Sequence, residues 1–267
     1  MLKRRWKIFF INGFAAYGLL WTFIESLGAF FSQIKPDGIA QYMLLIAPSV
    51  IFGAWRARPV SKVELTVPNS DSVLCIEFGD FWKKSGCIAI QVNEYFDSLL
   101  GDHVSPHSLH GQFIRDVFRS QSADFDTCVA RALANEPFDN VPRTSGNQKR
   151  YKIGTTASID IGPKRYLLFV FAKTDINTLK GSATVHDLWD ALAGLWKAIT
   201  VRSNGEPVYM SLIGSGLSGV GLPARNLLQI LMISFSYYTK KQKITSRLTI
   251  VLPKSLSKEI DLQEINF

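Results

Sequence analysis

The hydrophobic positions divide the chain into two textures. Over residues 1–58 apolar residues run almost unbroken, and from residue 59 they fall into short runs separated by polar turns. Residues 8–31, IFFINGFAAYGLLWTFIESLGAFF, contain one ionisable residue, Glu25. A helix rises about 1.5 Å per residue and about 20 apolar residues cross a bilayer core, so this run is long enough to span. After SQIKPDG a second run, IAQYMLLIAPSVIFGAW at 39–55, is shorter and carries Pro48, which predicts a kink. Together they predict a two-helix transmembrane hairpin in 1–58, turning at Pro36–Gly38. A cleaved signal sequence has an apolar core of about 7–15 residues and no second span, so it fits less well.

From residue 59 to 267 the pattern predicts one α/β domain. KVELTV (62–67), SVLCIEF (72–78) and CIAIQV (87–92) read as strands, the third apolar enough to be central. SLHGQFIRDVFRS (108–120) and DFDTCVARALA (124–134) read as helices, and 136–150 as a loop. RYKIGTTASIDI (150–161) and RYLLFVFA (165–172) pair around Gly162-Pro163. Residues 184–201 place Leu188, Leu192, Leu195, Trp196 and Ile199 on one side of an amphipathic helix. Strand PVYMSLI, a glycine-rich stretch, helix PARNLLQILMISFSYY and strand SRLTIVL complete the order. Adjacent strands first, then alternating strands and helices, predict a mixed sheet with helices on both faces.

Charge sharpens the membrane reading. Residues 1–58 hold seven Lys and Arg against Glu25 and Asp37, within a chain of net charge +8. KRRWK precedes the first span and RAR follows the second, so the positive-inside rule puts both termini in the cytoplasm of a multi-pass membrane protein. The excess beside apolar segments points to lipid headgroups rather than nucleic acid. Cys75, Cys87 and Cys128 show no CxxC spacing and read as reduced, buried thiols.

The candidate chemistry lies in GSGLSGVGLP, residues 214–223, between a strand and a helix. Glycines there let backbone N–H groups close around phosphate oxygens, and the helix dipole favours the negative charge. Pro223 suits a first helical turn. The letters also fit GxGxxG, but a dinucleotide-binding unit needs a further strand, helix and acidic residue downstream, where the chain reads YTKKQKIT.

These parts, in this order, resemble the macro domain, the ADP-ribose-binding fold. An early strand ends in Gly79-Asp80, another in Val92-Asn93, and PVYMSLIGSGLSG looks like the late phosphate loop. VSPHSLHGQFI, IGTTASI and GSGLSGVGLP behind two apolar helices look like the macro-type effector of Thoeris anti-phage defence. The resemblance covers about 62–252 and implies a three-layer α/β/α domain. It implies an ADP-ribose-type signalling nucleotide, conjugated to histidine, made by a TIR-domain partner enzyme. It further implies ligand-dependent homo-oligomerisation and disruption of the lipid bilayer.

The implied ligand-binding residues are Asp80, for the adenine amine, and Asn93, His107, Ser108, His110, Gly111 and Gln112 around the first loop. Gly154 and Thr155 form a second loop, and Gly214, Ser215, Gly216, Leu217, Ser218 and Gly219 hold the diphosphate, with Arg225 one turn later. Each has a structural alternative: Asp80 as a turn acid, Asn93 as a strand cap, Arg225 as an exposed side chain. His103, His107 and His110 lack a carboxylate or thiolate at metal-ligand spacing, so no metal is expected. The first loop, GDHVSPHSLHGQFI, is larger and richer in histidine than the glycine-rich loop of macro-domain hydrolases. That favours sensing without catalysis or cofactor; a membrane-tethered ADP-ribosyl hydrolase is the alternative.

Overall fold

A computed structural model describes residues 2–31, 38–216 and 219–267, in two compact units, Met1–Val60 and Ser61–Phe267. In the first unit α1 (Leu2–Phe30) and α2 (Ile39–Arg56) pack antiparallel. Phe9 lies against Gly53, Gly13 against Ser49, and Trp21 stacks on Tyr42 at 5.9 Å. Gly53 has no room for a side chain, since a Cβ would sit 2.7 Å from the Phe9 carbonyl oxygen. Small residues let the helix backbones approach closely, as in membrane helix pairs.

Only α1 among the described residues is long and apolar enough to cross a membrane, over Arg5–Phe30. The apolar part of α2, Tyr42–Arg56, falls short of that length, so a second full span is not shown. Most of the expected turn, Pro36 and Asp37 included, lies outside the described residues.

The second unit is built on one mixed sheet. Its main strands are β1 (Lys62–Thr66), β2 (Val73–Phe78), β3 (Cys87–Asn93), β6 (Thr156–Ile161), β7 (Lys164–Thr174), β9 (Val208–Ser211) and β10 (Arg247–Leu252). They lie in the order β1-β2-β10-β9-β3-β7-β6. The five from β2 to β7 run parallel, and β1 and β6 close the edges antiparallel. A short β8 (Gly181–Ser182) pairs with the end of β7. Central β3 and β7 are nearly continuous apolar runs because both faces are covered, whereas edge strand β1 alternates and carries charge. There Glu64 pairs with Lys62 at 2.7 Å and Arg247 at 2.9 Å.

One face buries α5 (Val185–Arg202) and α6 (Ala224–Lys241), the other α3 (Leu109–Asp116) and α4 (Ser122–Ala132). This is the expected three-layer mixed α/β domain. Thr184 and Asp187 form a reciprocal capping box at the start of α5, and the Trp196 indole N–H donates to Ser234 Oγ at 2.9 Å, tying α5 to α6. Cys75 and Cys87 are buried, and burial pushes the Cys87 thiol up to about 12, out of reactive range. Cys128 is only half-buried.

Three local expectations change. The segment 136–150 is not all loop: β4 (Phe138–Asn140) pairs with β5 (Lys149–Tyr151) in a separate hairpin. The strand read from residue 150 is interrupted by a turn at 152–155, and β6 starts at Thr156. The helix expected to run to residue 120 ends at Asp116, and the chain turns through left-handed Arg119 (φ 52°) and Ser120 (φ 62°).

Candidate ligand-binding site

Parallel strands converge their C-terminal ends on one edge of the sheet, where side chains are not needed to pair strands and loops diverge. Along that edge lies a cleft of about 870 Å³. Gly79–Trp82 line it after β2, Pro253 and Lys254 after β10, and Leu212 and Gly214–Gly216 after β9. The ends of β3 and β7 contribute Gln91–Asn93 and Phe171, Ala172 and Thr174. The loop 101–108 and the start of α3 close the far wall. At about 4.8 Å per strand, five strands give a floor roughly 19 Å long.

The glycine stretch turns sharply at the centre of this edge. Gly214 is left-handed (φ 78°) and its carbonyl accepts from Val220 N–H at 3.2 Å, closing the loop on itself. A Cβ on Gly214 would lie 2.9 Å from Val220 Cγ2. Ser215 Oγ donates to the Leu212 carbonyl at 2.9 Å, and Ser215 and Gly216 line the cleft. Gly219 lies against the Gly214 and Gly216 carbonyls, and Leu217 and Ser218 fall outside the described residues. α6 begins only at Ala224, so its first turn does not line the cleft. Arg225 pairs there with Glu264 at 3.1 Å.

Asp80 lines one end of the cleft and also caps the turn that follows, accepting from Trp82 N–H at 3.0 Å. Asn93 lines the other half. Its amide donates to Asp97 Oδ2 and accepts from Asp97 N–H, each at 3.0 Å. Ser108 caps α3: its hydroxyl accepts from Gly111 N–H at 3.0 Å and donates to the Ser105 carbonyl at 2.7 Å. Gly111 is there for packing, because a side chain would overlap the Ser105 carbonyl. Gln112 donates to the His107 carbonyl at 2.9 Å and accepts from the Trp82 indole at 2.7 Å. His107 stands exposed at the mouth.

Gly154 and Thr155 are not at the cleft. Gly154 (φ 88°) presses against Asp190 and Gly194 of α5, where a Cβ would sit 2.7 Å from the Asp190 carbonyl oxygen. Thr155 belongs to the turn that feeds β6 and accepts from Val170 N–H. Gly154 serves the close approach of loop to helix.

Behind the first loop lies a buried ionic network that residue periodicity did not reveal. Asp97 is fully buried and accepts from Arg143 Nη1 at 3.0 Å and Asn147 N–H at 2.9 Å. Arg143 Nη2 contacts His103 Nδ1 at 3.2 Å; a guanidinium only donates, so Nδ1 accepts and Nε2–H is left to donate to Ser145 Oγ at 2.9 Å. The Arg143 guanidinium also lies 4.0 Å over the Tyr95 ring. Gly146 (φ 80°) completes the network, since a Cβ would come within 2.6 Å of Asp97 Oδ1. The network fixes His103, which lines the cleft.

Among the described residues, three buried polar atoms on cleft-lining residues have no hydrogen-bond partner: Gln91 Oε1, His110 Nε2 and Thr174 Oγ1. Such orphans are rare in folded proteins and cost about 1–3 kcal/mol each. Burial holds His110 down to about 3, so the imidazole is neutral. Below about pH 6.5 the unfolded chain binds a proton at this histidine that the folded chain does not. Stability is therefore expected to fall by about 1.4 kcal/mol per pH unit between about 6.5 and 3 through this residue, and be unaffected above. Melting curves at pH 7 and pH 5 check this: His110→Leu should lose part of the wild type's acid sensitivity, and an equal drop in both proteins would contradict it. Among the described residues no three His, Cys, Asp or Glu cluster as metal ligands.

Trp82, Gln91, Thr174, Lys180 and Lys254 join the cleft beyond the residues singled out in the sequence. Trp82, Gln91, Thr174 and Lys254 sit at or just beyond the ends of predicted strands, which was the one signal available.

The model of the family described as Thoeris protein ThsA, macro domain, matches residues 74–253, more than half of the chain. The chain belongs to that family. Its fold is similar to the Oceanobacillus iheyensis macrodomain solved with ADP, at 11% identity and TM-score 0.52, covering 76% of this chain and 94% of that one. A point mutant of the same macrodomain, solved with ADPR, gives 12% identity, TM-score 0.52 and coverage of 76% and 96%. No curated protein matches the chain.

Proposed function

We propose that this protein reads an ADP-ribose-type nucleotide in the cleft at the strand ends, as the sensing part of a membrane-attached Thoeris effector. One observation carries the reading: the glycine-rich turn after β9, with Ser215 and Gly216 on the wall, edges a cleft built along the ends of five parallel strands. A diphosphate suits such a turn, because backbone N–H groups can close around its oxygens. The family and the nucleotides seen in macrodomains of this fold support the same ligand class.

In this account the signal is ADP-ribose conjugated to histidine, released by a TIR-domain partner. The first unit attaches the protein to the bilayer through α1, with both termini on the cytoplasmic side and α2 packed along it. Binding orders the loops around the cleft, copies of the chain assemble, and their helices breach the membrane. The ligand is held rather than cleaved. The test is calorimetry of the full chain in detergent with ADP-ribose and its amino-acid conjugates, followed by chromatography of the ligand. The expected result is one ligand per chain, recovered intact. Steady release of cleaved product would replace the sensor with the hydrolase, and absence of heat for every compound would remove the reading.

A further inference from the structure

Between Asp190 and Glu259 the chain carries one acid, Glu206, against nine Lys and Arg. Two of the nine are paired, Arg225 with Glu264 and Arg247 with Glu64. Five others, Lys197, Arg202, Lys240, Lys241 and Lys243, stand in the last two turns of α5 and α6 or just beyond. Each is exposed, with no carboxylate partner among the described residues. The two helices lie side by side and run in the same sense: Trp196 meets Ser234 and Phe235, and further along the Gln242 amide donates to Thr200 Oγ1 at 3.4 Å. Cations at helix C-termini complement the helix dipole, which accounts for their sign. It does not account for the apolar side chains left bare among them. Val201 is 70% exposed, Ile233 60% and Tyr237 53%. Val201 follows Lys197 by one turn of α5, and Ile233, Tyr237 and Lys241 mark successive turns of α6, so each set shares one side of its helix. Lys241 Nζ lies 4.4 Å over the Tyr237 ring.

Resting on the membrane attachment proposed above, we infer that this face of the second unit docks on an anionic lipid surface. Charge complementarity selects the occupant. Lysines and arginines interspersed with bare aliphatic and aromatic side chains suit the headgroup boundary: the cations meet lipid phosphates, and the apolar groups enter the margin of the acyl chains. A second copy of the chain would set the same five cations against their own kind across a two-fold interface, which repels. A chain already held at the bilayer by α1 keeps this face at a high local concentration of headgroups, so a modest surface is enough to dock it. The face also leaves the site free. α5 leads into β9 and α6 into β10, so both helices end beside the N-terminal ends of those strands, at the edge of the sheet opposite the cleft. Docking and nucleotide entry therefore do not compete.

The test uses the full chain in lipid nanodiscs, with a fluorescent dye on Val201→Cys in a Cys128→Ser background, since the other two cysteines are buried. The discs contain nitroxide-headgroup lipid as quencher, in phosphatidylcholine alone or mixed with phosphatidylglycerol. The dye should be quenched in the anionic discs and not in the neutral ones. Quenching should fade as salt rises from about 0.1 M to about 1 M, where the screening length falls from about 10 Å to about 3 Å. Lys240→Gln and Lys241→Gln should each lower the ratio of docked to undocked chain about five-fold, with the melting temperature unchanged because both side chains are exposed. Tyr237→Ser should lower the ratio as well, without altering its salt dependence. Three results overturn the docking face while α1 still holds the chain in the disc: no quenching in anionic discs, equal quenching in both kinds, or self-quenching between dyes on two chains in place of quenching by lipid, as an interface between copies gives. Loss of the wild-type chain from the disc overturns the membrane attachment and the docking with it.

Discussion

Gly216→Trp should abolish ADP-ribose binding, a loss of at least about 100-fold or roughly 2.7 kcal/mol, while the protein melts within about 2 °C of the wild type. The reason lies in the space around this glycine. Gly216 is exposed on the cleft wall, and among the described residues a Cβ there meets only Gln91 Nε2, at an ordinary 3.9 Å. The backbone is not left-handed at this position, so a side chain adds no strain and projects from the loop into the volume the diphosphate needs. Gly214 makes the opposite case. Its φ of 78° and the 2.9 Å approach of Val220 Cγ2 mean that even alanine there disturbs the turn itself. Titration calorimetry beside a thermal melt separates the two: Gly216→Trp is expected to lose binding alone, Gly214→Ala to lose stability as well. A Gly216→Trp protein that still binds ADP-ribose normally would place the phosphates elsewhere.

The second large effect is expected away from the glycines. Arg143→Met should cost about 3–5 kcal/mol of stability, because it leaves the Asp97 carboxylate buried without its cation. Asp97 has no exposed surface and the Arg143 side chain is 1% exposed, so water cannot compensate. Asn147 N–H and the Asn93 amide still reach the carboxylate, which sets the loss below that of a bare buried charge. The double variant Asp97→Asn with Arg143→Met removes both charges and should recover part of the loss. Denaturant unfolding of the wild type, the two single variants and the double variant measures it; additive effects of the single changes would mean the pair is not coupled. Because the network holds His103 against Ser145, the single variant is also expected to loosen the 101–108 wall of the cleft.

Much of this arrangement is legible in the residues. The strands and helices of the second unit follow from period-2 and period-3.6 patterns, and the parallel order explains why Gly79-Asp80, Val92-Asn93 and the glycine loop meet at one edge. The long apolar run of α1 is equally plain. What escaped has a physical reason. Gly154 resembles a ligand-loop glycine in sequence, but its function is contact with Gly194, forty residues away and hidden in a helical pattern. Arg143 stands in a stretch that composition marks as loop, and nothing local says that its partner Asp97 is 46 residues earlier. His110 looks like a surface histidine among polar neighbours; only the packing of α3 on the sheet buries it beside Phe125. Side chains that answer to distant partners leave no periodic trace.

The central claim is that the glycine loop after β9 grips a diphosphate by its backbone. A crystal structure of the second unit's cleft in the full chain, grown with ADP-ribose, tests it most directly. The account predicts phosphate oxygens within about 3 Å of backbone nitrogens between Gly214 and Gly219. Ligand bound with its phosphates away from this loop, or no density in a cleft saturated with the nucleotide, would contradict it.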